Sequence, residues 1–359
     1  MLTNAPGTAF LNRHSETAIT RDIRTPRGLR FELRKFLLTC RPIAPNFIAH
    51  QVNNCINIQL FYYPVEIIMG VNSKIEWTHH TFNPWWGCLR ISPACKHCYA
   101  ETWAKRVGMN DLWGKEAPRR FFSDAHWREP LKWDREAAAA GERRRVFCAS
   151  MADVFEDRTD LNATRERLWA LIQATPNLDW LLLTKRIRHV RKLAPWTGKW
   201  PGNIWLGTSA ENQHWLEKRV DHLLAHNVVV RFISAEPLLG PLDLRPWLQR
   251  PGSDVPGINW VIAGGESGPD SRSMNPAWPE DIRDQCNEAS VPFHFKQWGH
   301  WAPEELIVEG ISARTQRINV IGRDGAIIRL AKVGKSKGGR ELGGMTWDQV
   351  PMLDAALLR

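Results

Sequence analysis

From residue 75 onward, short apolar runs alternate with amphipathic stretches. The runs read as strands over residues 75–81, 145–150, 180–184, 204–208, 228–234, 260–263 and 293–297. Several are almost continuously apolar or β-branched, which is the pattern of strands buried on both faces. Between them, residues 161–174, 213–226 and 277–290 read as helices. In the second of these, Leu216, Val220, Leu223 and Leu224 recur at helical spacing and mark a core-facing stripe. Strand-then-helix alternation predicts a parallel sheet. With seven strands, the expected α/β fold is a partial or complete TIM-like (β/α) barrel rather than a doubly wound sheet.

Both of those architectures place ligands at the carboxyl ends of their strands. The polar residues found there form a set. Asn83 follows the first run, Ser150 and Asp153 the second, and Thr184 and Lys185 the third. Ser209 and Glu211 follow the fourth, Glu236 the fifth, Gly264, Gly265 and Glu266 the sixth, and Gln297 the seventh. Any one of them can be a turn or cap residue. Seven strands ending alike point to a shared pocket.

Composition divides the chain. All 19 tryptophans lie between Trp77 and Trp347, while Tyr62 and Tyr63 sit in the tryptophan-free start. Residues 1–68 carry eight Lys or Arg against four acids, so they hold +4 of the formal charge of +10. The break sets a boundary near Met69. It separates an upstream extension or leader (1–68) from a barrel domain (69–300) and a C-terminal extension (301–359) with a basic, glycine-rich loop at 332–340. Arginine richness between Arg21 and Arg41 suits a targeting peptide, but Thr25-Pro26-Arg27-Gly28 interrupts the helix such a peptide needs. We therefore expect Met69 to be the natural start. No apolar run reaches the roughly 18–20 residues of a membrane span. Seven cysteines without a secretory signal predict a reducing, cytoplasmic setting in which clustered thiols serve metal or catalysis.

The chemistry-bearing motif is Cys88-x6-Cys95-x2-Cys98, directly after the first strand. Gly87 and Pro93 break regular structure, so three sulfurs can converge from one loop. A helix opens behind them, its apolar face formed by Ala100, Trp103, Ala104 and Val107 and its end marked by Gly108. A helix N-terminus favours thiolate over thiol. A structural zinc site is normally closed by four ligands. A [4Fe-4S] cluster held by three cysteines keeps one iron open, and in radical enzymes S-adenosylmethionine takes that position. The plainer alternatives are zinc completed by His97, Cys148 or Cys286, or three unrelated structural cysteines.

Further blocks carry a resemblance. They are Lys74-Ile75-Glu76-Trp77-Thr78, Asn83-Pro84, Tyr99-Ala100-Glu101 after the cysteines, and Leu183-Thr184-Lys185-Arg186. The set continues through Ser234-Ala235-Glu236-Pro237-Leu238-Leu239-Gly240, Gly264-Gly265-Glu266-Ser267-Gly268 and Phe295-Lys296-Gln297-Trp298-Gly299. Together they are similar to a phage and prophage family of unknown function, described as a three-Cys-motif, radical-SAM-like protein. The resemblance implies a radical-SAM scaffold with a [4Fe-4S] cluster at Cys88, Cys95 and Cys98, and S-adenosylmethionine bound by the strand-end set. It also implies an external electron donor. The sequence departs from the common C-x3-C-x2-C spacing, with His97 in place of the usual aromatic residue. Gly264-Gly265-Glu266 resembles the glycine–glycine–acid motif of those enzymes but follows the sixth strand instead of the second.

Lys185, Arg186, Arg188, Arg191 and Lys192 cluster after the third strand, and Trp85, Trp86 and Trp298 lie near strand ends. These suit a nucleotide or nucleic-acid substrate. The competing functions are a zinc-stabilised nucleic-acid-binding protein without radical chemistry, and a hydrolase using Asp153, Glu236 and Glu266 as its carboxylates. Absence of an HExxH motif disfavours the hydrolase. On the question of the start, mass spectrometry of the native protein is expected to find Met69 as the first residue. An abundant peptide from upstream of Met69 would contradict this.

Overall fold

The computed structural model describes residues 73, 75–307 and 311–353. The boundary placed at Met69 and the segment before it lie outside the described residues. Seven parallel strands form one sheet in sequential order: β1 (His80–Thr81), β2 (Arg144–Cys148), β3 (Leu178–Thr184), β4 (Ile204–Ser209), β5 (Val230–Ala235), β6 (Trp260–Gly264) and β7 (Phe293–Gln297). The sheet curls into a half-barrel, so the barrel is partial.

Side-chain alternation sorts the strands' residues into two faces. Val146 and Cys148, Trp180 and Leu182, Ile204 and Leu206, Ile233 and Ala235, Val261 and Ala263, and Phe293 and Phe295 pack outward against the helices. The intervening Phe147, Leu181, Trp205, Phe232, Trp260 and Ile262 face the concave side, where Trp77 joins them. Trp260 is the centre of that inner cluster. Its ring meets Trp205 at 5.8 Å, Phe232 at 5.7 Å and Trp77 at 6.2 Å between centroids. The contacts with Trp205 and Trp77 are edge-to-face, an arrangement that adds about 0.5–1.5 kcal/mol each beyond area burial. The tryptophan-rich plug fills the amino-terminal end of the half-barrel, leaving its carboxyl end for polar groups.

Four helices cover the convex face, and another, beside the cysteine loop, packs in a separate cluster with Trp86 and Met151. α1 (Tyr99–Arg106) and α2 (Asp124–Ala140) lie between β1 and β2, α3 (Asn162–Gln173) follows β2, α4 (Gln213–Leu224) follows β4, and α5 (Ala277–Glu288) follows β6. Three of these match the expected helices to within two residues at each end. α2 stands outside the pattern read from the sequence, because Pro130 falls in its interior. Trp127, Pro130, Trp133 and Ala137 nonetheless supply a buried face, and Gly141 ends it in the left-handed region. Between β5 and β6 no helix forms. Pro237, Pro241, Pro246, Pro251 and Pro256 interrupt that stretch about every five residues and deny it a continuous helical ladder. The first strand is also shorter than expected. Residues 75–78 close a turn instead, with the Thr78 hydroxyl donating to the carbonyls of His80 and Arg145 at 2.9 Å.

Beyond β7, β8 (Trp301–Pro303), β9 (Arg317–Ile321) and β10 (Ile327–Lys332) make an antiparallel sheet in the order β8-β10-β9. The chain then returns along the free edge of β7. Phe295 N–H donates to Trp347 O, Phe293 N–H to the Gln349 side chain, and Trp260 Nε1 to Gln349 O, all at 2.9 Å. An otherwise open sheet edge is thereby covered. Among the described residues no helix is long and apolar enough to cross a membrane.

Trp260→Ala is expected to cost about 3–5 kcal/mol, as for other fully buried large aromatics. Trp260→Phe should cost less but strip Gln349 O of its donor. Thermal unfolding with hydrogen exchange should then show faster exchange at Phe293 and Phe295 in the Phe variant. Unchanged exchange there would mean the returning segment is held without Trp260.

Candidate cofactor-binding cavity

The loop from Cys88 to Cys98 leaves the barrel immediately after a short ladder of Trp85–Trp86 against Arg120–Phe121. Gly87 makes the exit possible. Its φ of +111° lies in the left-handed region, and a Cβ there would stand 2.5 Å from Leu112 O. Pro93–Cys95 form one turn of 3-10 helix, and Cys98 occupies the N-cap of α1. All three thiols are free and partly exposed, whereas Cys148 and Cys286 are sealed in the helix-facing core. Of the fourth ligands considered for zinc, only His97 reaches the cavity.

Cys88, Cys95 and Cys98 line a cavity of about 370 Å³ at the carboxyl ends of the strands. Its other walls include Ser150, Asp153, Thr184, Lys185, Ser209, Glu236, Gly265, Glu266 and Gln297, so all three cysteines and nine of the twelve strand-end residues line it, and Asn83 does not. Glu211 and Gly264 stand behind the wall. Among the described residues, no three His, Cys, Asp or Glu side chains stand close enough to hold a single metal ion. A four-iron cluster asks for a wider triangle than a tetrahedral ion, because each thiolate takes a different iron.

Several of the strand-end charges are spent on the loop. Arg186 donates to Leu89 O at 2.7 Å and lies 3.7 Å from Cys88 Sγ, and its partner is Asp153 at 2.9 Å. Asp153 also accepts from the Thr184 hydroxyl at 2.7 Å and from the N–H groups of Phe155 and Lys185 at 3.1 Å. Burial works against the Asp153 carboxylate, but Arg186 and these donors outweigh it and hold its carboxyl below the usual range. Glu211 is fully buried, paired with Arg219 at 2.8 Å, and its other oxygen accepts from Ala94 N–H at 3.4 Å. Glu266 is gripped by Arg272 through both carboxylate oxygens, at 2.5 and 2.9 Å, and Arg272 extends to Pro93 O at 3.0 Å. Three acid–arginine pairs, two buried and the Arg272–Glu266 pair half-buried, thus pin the cysteine loop at Leu89, Pro93 and Ala94.

This arrangement gives the glycine–glycine–acid motif a local purpose. A Cβ on Gly264 would press on Glu236 at 3.0 Å, and one on Gly265 would stand 1.9 Å from Trp298 O. These glycines admit the protein's own chain, while Glu266 serves the Arg272 clamp.

The cavity keeps two polar pairs on its concave face. Lys185 Nζ donates to Ser209 Oγ at 3.0 Å, and Lys296 Nζ lies 2.8 Å from Glu236 Oε1. Beside them Gln297 Oε1 is buried and has no hydrogen-bond partner among the described residues. The sequence reading does not single out Lys296 as a site residue, although a lysine on the face opposite Phe293 and Phe295 of this buried strand is a readable signal. Arg272 and Arg219 were missed because nothing local marks them as partners of the loop.

Electrostatics at the sulfurs are opposed. Burial pushes the Cys88 thiol up to about 12, against the pull of the Arg186 guanidinium. The Cys98 thiol is also raised by burial, with the N–H groups of Glu101 and Ala100 at the start of α1 working the other way.

The model of the family described as "Protein of unknown function (DUF5131)" matches residues 72–351, and the chain belongs to that family. No curated protein matches it. Among solved structures it is similar to two mutants of spore photoproduct lyase, at TM-scores of 0.38 and 0.37. Each is 12% identical, with 74% of this chain and 72% of the other covered, a likeness too distant to bear on the chemistry.

Replacing Arg272 by Ala should free the Pro93 end of the loop and leave Glu266 poorly paired, at a cost of about 1–3 kcal/mol. Trypsin cleavage after Lys96 should accelerate in this variant, and Glu266→Gln should act in the same direction. An unchanged cleavage rate in both would mean the clamp does not restrain the loop.

Proposed function

We propose that this DUF5131 protein is a radical-SAM-type iron–sulfur enzyme in which Cys88, Cys95 and Cys98 hold a [4Fe-4S] cluster. The single observation that carries the reading is the sharing of one cavity by three cysteines of one loop and a concave polar face. Its volume of about 370 Å³ lies within the range of small-molecule sites. Three thiolates without a fourth protein ligand leave an open iron position. The chemistry supplied there, when the site is loaded and an external donor provides one electron, is reductive cleavage of the S-adenosylmethionine sulfonium bond.

The chain's own residues do the rest. Arg186 favours a thiolate at Cys88, and the first N–H groups of α1 favour one at Cys98. Lys185 and Lys296 suit the carboxylate of an amino-acid ligand, while Glu236 and the unpartnered Gln297 Oε1 suit its ammonium group. Ser209 and Ser234 line the floor between these groups. The tryptophan plug closes the far end of the half-barrel and excludes bulk water there. Thiols of this kind require a reducing compartment, in keeping with a cytoplasmic protein.

Anaerobic reconstitution with iron and sulfide is expected to give broad absorption near roughly 400 nm, lost in Cys95→Ala. Adding dithionite and S-adenosylmethionine should then yield 5′-deoxyadenosine, and Glu236→Gln should weaken the S-adenosylmethionine-dependent step while leaving the absorption intact. A colourless protein carrying stoichiometric zinc would contradict the proposal and favour the zinc-stabilised alternative.

A further inference from the structure

Beside the cysteine cavity lies a second, larger concavity of about 830 Å³, which shares Leu89, Lys185 and Arg186 with the first. Its walls come from the segment after β2, the segment after β3, and α4. Seven Lys or Arg side chains line it against four Asp or Glu, so its sign is positive. Two of the acids are committed outside the groove, Glu156 to the buried Arg119 at 2.6 Å and Asp157 to Lys192 at 2.7 Å, while Asp160 pairs within it with Arg158 at 2.6 Å.

Several cations are not committed. Arg188 is exposed and has no hydrogen bond or ion pair among the described residues. Lys218 is exposed and makes only a ring contact, 5.2 Å from the centroid of Trp215. Arg219 is 3% exposed, pairs with Glu211 and Ser209 O through Nη1 and lies 4.3 Å from the centroid of the Trp215 ring, but its Nε and Nη2 are buried without hydrogen-bond partners among the described residues. An unsatisfied buried guanidinium N–H carries a desolvation cost that an anionic ligand can recover. Free cations on two separate elements, along a groove twice as large as the adjoining cavity, suit a chain of phosphates better than a single one.

We infer that this groove binds the sugar–phosphate backbone of a single-stranded nucleic acid, so that one nucleotide of the strand reaches the adjoining cysteine cavity. The groove requires no cluster. Only the delivery of that nucleotide to radical chemistry rests on the function proposed above.

The test uses the full chain without cluster and fluorescein-labelled 12-nucleotide single strands of DNA and RNA, followed by anisotropy across a salt series. Binding should weaken linearly in log–log form, and Arg188→Glu with Lys218→Glu should reduce affinity at least about tenfold at low salt. For two lost phosphate contacts the salt slope should fall by about 1.4. Lys132→Glu with Arg135→Glu, an equal charge change on the exposed face of α2, should have little effect. Equal weakening by both pairs, or wild-type binding by the groove pair, would overturn the inference. So would displacement of the strand by a mononucleotide at equal phosphate concentration. The groove pair should retain cluster absorption and Cys95→Ala should retain strand binding, so failure of either reading shows separately.

Discussion

Holding an eleven-residue loop of three cysteines, Cys88 to Cys98, over the open end of a sheet is the constraint on which this site depends. No disulfide secures the loop, and its only regular structure is one turn of 3-10 helix. Its position instead comes from three acid–arginine pairs on neighbouring elements: Arg186, held by Asp153, and Arg272, held by Glu266, reach the loop directly, whereas Glu211, held by Arg219, accepts from the loop's Ala94 N–H. Buried ion pairs of this kind contribute little net stability, but removing one partner leaves a costly unpaired charge. They therefore act as positional locks more than as sources of stability. Because they are anchored after β3, β4 and β6, they tie the loop to the curvature of the sheet itself.

The same geometry explains why the cavity is polar on one side only. Inward-facing positions run from the Trp205, Phe232 and Trp260 layer to Ser209, Ser234 and Glu236 by steps of two along their strands. The apolar half closes the barrel, and the polar half faces the sulfurs. Lys185 and Lys296 enter by the same alternation, the first two residues beyond Leu183 and the second two beyond His294.

Much of this was legible in the sequence. Near-continuous apolar runs such as Trp180-Leu181-Leu182-Leu183 mark strands covered on both faces, and all seven strands and three helices follow from such patterns. The cysteine loop was equally visible, since its spacing and its glycine and proline punctuation are local. What escaped was non-local or masked by a breaker. Pro130 hid α2, although the helix buries Trp127 and Trp133 on one side of that proline and the next turn. Glu211 and Glu266 were expected to face a ligand because they end strands. Their arginine partners lie eight and six residues away on other turns of chain, and a linear reading does not pair them. Strict alternation from Phe293 points inward at Lys296 alone, yet Gln297 lines the cavity as well, where the ladder between the last two strands shifts register.

The central claim is that the three loop cysteines, and no others, carry a four-iron cluster. Metal and sulfide analysis of protein purified anaerobically from cells supplied with both iron and zinc tests it most directly. The account predicts about four iron and four sulfide per chain. Both should be lost when Cys88, Cys95 or Cys98 is replaced by Ala and kept when Cys148 or Cys286 is. One zinc per chain with no acid-labile sulfide, or iron that survives loss of a loop cysteine, would contradict it.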